Sequence, residues 1–205
     1  MKTTLFLALP VLLAAPFFFA ENSTDTTVPV LVPTESIKPA AFKLDTSHSW
    51  ILFKVNHLGL GTAWGSFGKF DGSFSLDAEK AGESSVSMTI DATSVSTNNK
   101  KRDDHLKGPD FFNAREFPTI KFTSTKVEGD GNDFSITGTL ELLGKKKEVV
   151  VKMNKVGEGN DPWGNYRAGF EGSFKINRTD FGMDYMKEGL GAEVTVTLAF
   201  EGTRE

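Results

Sequence analysis

The stretch WILFKVNH at residues 50–57 begins with four apolar residues and then alternates apolar and polar side chains. Side chains of a β-strand point to opposite faces with a period of two, so Ile51, Phe53 and Val55 share one face. His57 lies at the end of that face, and Lys54 and Asn56 point the other way. The stretch therefore predicts a β-strand with one buried face.

The same alternation recurs through the rest of the chain and gives eight strand candidates. They lie at residues 50–57, 68–76, 86–90, 120–122, 134–136, 149–153, 168–176 and 194–200. Most have one apolar face and one polar face, which is typical of antiparallel strands. Glycines inside these runs, such as Gly172, suit a sheet that bends sharply, as closure into a barrel requires. The periodicity is compatible with a barrel and with a sandwich.

Two segments between the strand candidates have a different pattern. GLGTAWG at residues 59–65 is rich in glycine and lies between two strands, so we expect a hairpin connection rather than a phosphate-binding loop. Residues 94–117 are polar and charged at first and then apolar. We expect them to form a short helix and a capped turn inserted between strands.

The first 40 residues differ from the rest, because none of the 20 glycines falls among them. Lys2 precedes an apolar run interrupted by two prolines, a pattern typical of a secretory signal peptide. We predict a signal peptide at residues 1–20, a disordered linker at residues 21–40 and a folded domain at residues 41–205. Export would make the protein periplasmic or secreted, without a stable membrane span after cleavage.

Composition excludes several classes of function. The net charge of −4 gives no basic surface for nucleic acid. The chain has no cysteine, which excludes disulfides, cysteine-ligated zinc, iron–sulfur clusters and a thiol nucleophile.

Three histidines, His48, His57 and His105, are the remaining candidates for site chemistry. Their spacing matches no zinc motif, so we expect no metal site. His105 follows Asp103 and Asp104, and such a pair could assist a serine nucleophile, although no serine has the G-x-S-x-G spacing. A polar loop is the simpler interpretation. For His57, a core histidine and a polar group at the mouth of a cavity both remain open.

Five motifs in the chain, taken together and in this order, resemble the YceI-like lipid/polyisoprenoid-binding family. They are DTSHSWILFKVNHLG at 45–59, GKFDGSF at 68–74, NNKKRDDHLKGPDFFNAREFPTIKF at 98–122, INRTDFGM at 176–183 and GLGAEVTVTLAFE at 189–201. The resemblance spans essentially the whole predicted domain.

The resemblance implies an all-β fold: a lipocalin-like antiparallel barrel, here with eight strands and a short helical insertion. It also implies a protein that is exported and not an enzyme. The barrel would hold an amphiphilic lipid, such as a polyprenyl lipid or an isoprenoid quinone, as a ligand rather than as a cofactor. The sequence leaves a homodimer open.

On this hypothesis, the site residues fall into three groups. The inward face of the barrel would include Ile51, Phe53, Val55, Phe70, Phe74, Met88, Ile90, Ile120, Phe122 and Phe174. The inserted segment would cover one end of the barrel with Leu106, Phe111, Phe112 and Phe117. Polar contacts near a head group or within this cover would come from His57, Arg102, His105 and Asp110. Arg178 and Asp180 could equally form an ion pair at a turn.

Two rival functions remain at this point. The first is a hydrolase that uses His105 with Asp103 or Asp104. The second is a structural or stress-related protein whose barrel is filled by its own side chains and binds no lipid, since composition cannot distinguish a packed core from an apolar pocket.

Overall fold

The computed structural model describes residues 39–77 and 80–205, which form a β-barrel with one short α-helix. The predicted signal peptide at residues 1–20 and nearly all of the predicted linker lie outside the described residues. The strands are β1 Ala40–Leu44, β2 Trp50–His57, β3 Gly61–Phe67, β4 Phe70–Leu76, β5 Ser85–Asp91, β6 Val95–Ser96, β7 Thr119–Asp130, β8 Asp133–Leu142, β9 Lys145–Asn160, β10 Tyr166–Asn177 and β11 Leu190–Arg204. The helix α1 spans Lys100–Leu106 and three short 3-10 helices span Ala81–Glu83, Ala92–Ser94 and Arg178–Phe181.

The sheet closes on itself, because the last strand, β11, pairs with the first two strands. The C-terminal end of β11 pairs with β1, and the part before it pairs with β2. Three positions in the wall are each filled by two successive strands: β1 then β2, β3 then β4, and β5 then β6. In each case the second strand continues the course of the first after a short break. The strands β7 to β11 fill the other five positions. All neighbours are antiparallel, and chain order is also spatial order. Closure excludes the sandwich and confirms the predicted eight-stranded antiparallel barrel.

Seven of the eight strand candidates fall within a strand, and the candidate at 68–76 overlaps β4, which begins at Phe70. The hairpin connection expected at residues 59–65 is correct for its turn and wrong in its extent. The turn after β2 is short, and Gly61–Phe67 forms β3, which pairs with β2 in the register Phe53 to Gly65 and Val55 to Ala63. Two inward positions of β3, Ala63 and Gly65, are small, and at Gly65 the ring of Phe53 on β2 fills the space that a side chain would take, whereas Phe67 at the end of β3 is large and buried. A glycine-rich strand of this kind lacks the apolar alternation that identifies the others.

The barrel interior is filled by alternate side chains of every wall position. Buried residues of this core include Ile51, Met88, Leu140 and Met153, each less than 10% exposed. Gly172 shows why glycine is needed in the strands: a Cβ there would collide with the backbone carbonyl oxygen of Lys152 and would lie 2.6 Å from the sulfur of Met153, its partner on β9. The backbone of β9 and this thioether occupy the space that a side chain at position 172 would fill.

The segment between β6 and β7 covers one end of the barrel, as predicted for residues 94–117. Asn99 begins α1 by accepting a hydrogen bond from the backbone N–H of Arg102 through its side-chain oxygen. The helix ends before Gly108 and Pro109, and the following residues form successive turns with Phe111 and Ala114 buried. We call residues 97–118 the lid. Within the described ranges, no helix has the length and apolarity needed to cross a membrane.

Candidate binding cavity

The barrel encloses two cavities with almost entirely apolar linings. Cavity A has a free volume of about 110 Å³ and cavity B about 120 Å³. Cavity A is lined by Leu44, Ile51, Ser73, Phe74, Ser75, Leu76, Ser84, Val86, Met88, Ile90, Phe122, Val127, Phe134, Ile136, Leu140, Val151, Met153, Phe170, Phe174, Val196, Leu198 and Phe200. Cavity B is lined by Ile51, Phe53, Val55, Phe67, Ile90, Leu106, Phe111, Phe112, Ile120, Leu140, Leu142, Phe174, Ile176, Arg178, Met183, Leu190, Val194 and Val196.

The two cavities are stacked along the barrel. On β11 the lining passes from Phe200 in cavity A, through Val196 in both, to Leu190 in cavity B. The same order holds on other wall positions, with Leu44, Ile51 and Phe53 on β1 and β2, Ile136, Leu140 and Leu142 on β8, and Phe170, Phe174 and Ile176 on β10. The interior is thus elongated, with cavity B at the end that the lid covers.

Five side chains line both cavities and separate them. We call this set the waist: Ile51, Ile90, Leu140, Phe174 and Val196. They come from strands distributed around the wall, so the waist surrounds the barrel axis rather than protruding from one side.

Most of the predicted inward residues lie on these linings. Phe74, Met88 and Phe122 line cavity A, whereas Phe53, Val55 and Ile120 line cavity B, and Ile51, Ile90 and Phe174 line both. Phe70 lines neither cavity, although it is half-buried and packs against the hydrophobic core.

Of the four predicted apolar residues of the lid, three line a cavity and one does not. Leu106, Phe111 and Phe112 line cavity B, and the ring of Phe112 packs edge-on against that of Phe67, with centroids 5.4 Å apart. Phe117 points elsewhere: its Cε1 would lie 2.9 Å from a Cβ on Gly144, in the turn between β8 and β9. Phe117 therefore packs the end of the lid against that turn.

The predicted polar residues of the lid fix its conformation and do not line either cavity. Arg102 donates from Nε to the Thr97 hydroxyl and from Nη2 to the Thr97 carbonyl, both at 2.7 Å. His105 Nε2 lies 2.8 Å from Asp110 Oδ2. The His105 ring also packs edge-on against Phe111 and Tyr185.

These contacts change the interpretation of two histidines. His105 pairs with Asp110 and not with Asp103 or Asp104, so the arrangement that the rival hydrolase would need does not form. Asp103 instead accepts hydrogen bonds from the backbone and hydroxyl of Thr97. His57 is exposed at the end of β2 rather than buried with Ile51 and Val55, because the strand ends there and the chain turns.

Arg178 is a residue of cavity B that the strand pattern did not identify. It is only 2% exposed, and it donates to the carbonyls of Met183, Tyr185, Leu190 and Gly191 at 2.6 to 2.9 Å. Burial lowers its pKa. Its donors are used on these carbonyls, so the alternative of an ion pair with Asp180 does not hold. The motif NRTDFG was the available signal, but periodicity does not apply to a 3-10 turn.

Several large side chains of cavity A were also missed as site residues. Phe134, Ile136 and Met153 line it from β8 and β9. They lie in runs whose alternation did predict strands, so the same pattern could have placed them on the inner face. What the sequence did not show is how far each strand extends along the axis.

One group of side chains has the spacing of a metal site. Ligand atoms of Asp45, His48 and Glu201 lie within 4.8 Å of one another. However, Arg167 Nη1 already donates to Asp45 Oδ2 and Glu201 Oε1, both at 2.6 Å. Hydrogen bonds from Ser47, Arg167 and His48 hold the pKa of Asp45 well below its usual range. The carboxylates are thus neutralised by a guanidinium, and the group acts as an ion-pair cluster.

Comparison with known proteins is consistent with this architecture. Residues 42–202 match the sequence model of a family described as YceI-like domain. The chain is 40% identical over 178 residues to the UPF0312 protein plu2095 of Photorhabdus laumondii, covering 86% of this chain and 93% of that protein. It is 43% identical over 179 residues to a UPF0312 protein of Shewanella denitrificans, with 86% and 93% covered.

Solved structures with the same fold include three that bear on the barrel. BcnA of Burkholderia cenocepacia has a TM-score of 0.70 at 26% identity, covering 77% of this chain and 98% of that one. The YCEI protein of Campylobacter jejuni has a TM-score of 0.65 at 28% identity, covering 73% and 90%. A polyisoprenoid binding domain from Saccharophagus degradans has a TM-score of 0.58 at 15% identity, covering 81% and 99%, and shows a shared fold alone.

Proposed function

Because the chain belongs to the YceI-like domain family, we propose that it binds an amphiphilic lipid in its barrel and does not catalyse a reaction. The tail, a polyisoprenoid or the side chain of an isoprenoid quinone, would lie along the stacked cavities. The observation that carries this proposal is the lining of these cavities, which is almost wholly apolar over the length of the barrel. The polyisoprenoid binding domain of Saccharophagus degradans has the same fold.

The chemistry of the lining favours a long apolar chain over a polar substrate. Burial of apolar surface is worth roughly 25 cal/mol per Å², or about 0.8 kcal/mol for each methylene. Part of this gain is offset by the lost freedom of the chain. A polar molecule would instead lose hydrogen bonds to water without regaining them from these walls.

The interior can adapt to a chain larger than its present free volume. An engineered cavity of about 150 Å³ takes up benzene, so 110 or 120 Å³ alone would hold only a short piece of a tail. Met88 and Met153 line cavity A, and methionine is unbranched with three rotatable bonds. These side chains can move aside when a tail enters.

The proposed location follows from the sequence. The predicted signal peptide at residues 1–20 would deliver the protein to the periplasm or the exterior. A water-insoluble lipid that crosses such an aqueous space needs a protein with an apolar binding cavity, and a barrel of this kind would provide one. Edman sequencing or mass spectrometry of the mature protein from its own host would test the cleavage.

Extraction of the natively purified protein tests the proposal directly. We expect organic extracts of protein from the native host to contain about one lipid per barrel, identified by mass spectrometry. Val151 and Val150 provide matched variants on β9, since Val151 is 4% exposed and lines cavity A while Val150 is 48% exposed and points outward. Val151→Trp should lose the lipid, and Val150→Trp should keep it.

A packed barrel without a ligand is the second candidate function. The small free volume of the two cavities favours it, because native side chains already fill most of the interior. Repeated extracts without stoichiometric lipid, together with no rise in melting temperature on adding a quinone analogue, would support this candidate. The same result would overturn lipid binding.

A further inference from the structure

The waist lies between cavity A and cavity B. Its five side chains line both spaces, and they approach the axis from β2, β5, β8, β10 and β11. The wall around them is hydrogen-bonded through the antiparallel ladders on either side of each of these strands. A tail that occupies both cavities must therefore pass between the waist side chains.

Tail length decides whether this passage is needed. Each cavity is smaller than the roughly 150 Å³ that holds one benzene, so even a short tail needs side chains of that cavity to move, but it need not reach the other cavity. From Phe200 in cavity A to Leu190 in cavity B, the wall runs roughly 30 Å along β11 at about 3.3 Å per residue. Only a long tail would use this whole length, and only a long tail would meet the waist.

The waist residues differ in their freedom to move. Ile51 and Leu140 are 2% and 6% exposed, and both belong to the packed core. Ile90 and Val196 are half-buried but branched at Cβ, which restricts χ1. Phe174 is half-buried, has an unbranched Cβ and carries the largest side chain of the five, so rotation of this one ring would change the opening most.

We propose that Phe174 is a specificity-determining gate that sets which tail lengths the barrel accepts. The inference rests on the proposed lipid binding and adds to it the residue that discriminates among lipids. A short prenyl chain binds with the ring in place. A long prenyl chain binds only when the ring turns away from the axis, and the free energy of that rotation lowers its affinity.

Binding of two prenyl alcohols tests the gate. Farnesol serves as the short tail and solanesol as the long tail, each presented in the same detergent micelles and titrated against the full chain. Phe174→Trp should weaken solanesol at least about tenfold while changing farnesol less than about twofold. Phe174→Leu should change the ratio in the opposite direction, because it removes the ring from the waist.

Lys175→Trp is the matched control, since Lys175 is the next residue on β10, points outward and is paired with Glu193 on the surface. It should leave both affinities unchanged. If both Phe174 variants change farnesol and solanesol by the same factor, the gate is overturned while lipid binding stands. If the wild-type protein binds neither alcohol, the proposed function fails and the gate fails with it.

Discussion

The ring of Phe53 on β2 lies directly over Gly65, its pairing partner on β3. A Cβ built on Gly65 would fall 2.8 Å from both Cε atoms of the ring and closer still to Cζ. The same ring contacts Phe67 and Phe112, with centroids 5.6 and 6.4 Å away. The missing side chain at position 65 thus makes room for an aromatic side chain that lines cavity B and supports the lid.

Gly65→Ala should therefore destabilise the barrel by overpacking. The added methyl must displace the Phe53 ring, and no backbone atom is among its three nearest neighbours. Overpacking of a well-packed core typically costs about 1 to 3 kcal/mol. In a domain of this size, each kcal/mol corresponds to roughly 2 to 4 °C in melting temperature, which differential scanning calorimetry would measure.

Gly61→Ala is the matched control on the same strand, because a Cβ at Gly61 has nothing within 4 Å. Its melting temperature should match the wild type. The double variant Gly65→Ala with Phe53→Leu should recover part of the loss. If Gly65→Ala and Gly61→Ala change the melting temperature equally, strand propensity, and not the Phe53 contact, explains the result.

The Phe53–Gly65 contact also explains which parts of the fold the sequence could predict. Alternation identifies a strand only when its inward residues are large, as on β2, β10 and β11. On β3 the inward residues before Phe67 are Ala63 and Gly65, so over most of β3 the apolar volume of this pair of strands is carried by β2. The strand was therefore mistaken for a connection, although its existence followed from the need to pair β2.

The residues of the site could likewise be predicted where they lie on strands that alternate regularly. An inward position on a regular strand places a side chain in the cavity, as for Met88 and Phe174. Polar residues in irregular segments have no such rule. The direction of His57 depends on where β2 ends, and that of Arg178 depends on a loop of carbonyls several residues away.

Arg178 should be essential for the loop after β10. Replacing it with Met leaves the buried carbonyl of Met183 and the partly buried carbonyls of Tyr185, Leu190 and Gly191 without their donor, and we expect a loss of about 3 kcal/mol or more in urea unfolding. Arg178→Lys should lose less, because an ammonium group has three donors. Faster amide exchange confined to residues 183–191 would locate the effect, whereas unchanged exchange there would contradict it.

Asp103 should determine the stability of the lid. It accepts from the Thr97 backbone N–H at 2.7 Å and from the Thr97 hydroxyl at 2.5 Å, which ties α1 to the end of β6. Asp103→Ala should accelerate hydrogen exchange across residues 97–118 with an opening cost lower by about 1 to 3 kcal/mol. Asp104→Ala is the control, because Asp104 only pairs with the exposed Lys100. Similar exchange in the two variants would argue against this role.

Arg167 should make stability depend on pH in the acidic range. It donates to Asp45, Asp161 and Glu201, which lie on different segments of the chain. Hydrogen bonds hold the pKa of Asp45 well below its usual range, with Ser47 as the largest cause and Arg167 next. The pKa of Asp161 is also well below its usual range, and the hydrogen bond from Asn165 lowers it most, followed by the one from Arg167.

Both aspartates have a lower pKa in the folded protein than in the unfolded chain, where it is about 3.9. Below about pH 5 the unfolded state therefore binds more protons, and the stabilisation present at neutral pH is lost as the pH falls.

Arg167→Met removes part of both pKa shifts. The variant should be less stable than the wild type at pH 7, and the difference should shrink toward pH 2.5 in urea unfolding. Lys126→Met, which removes a surface pair with Glu128, should follow the wild-type curve. If the Arg167→Met curve lies below the wild-type curve by a constant amount at every pH, the guanidinium acts through packing and not through the two carboxylates.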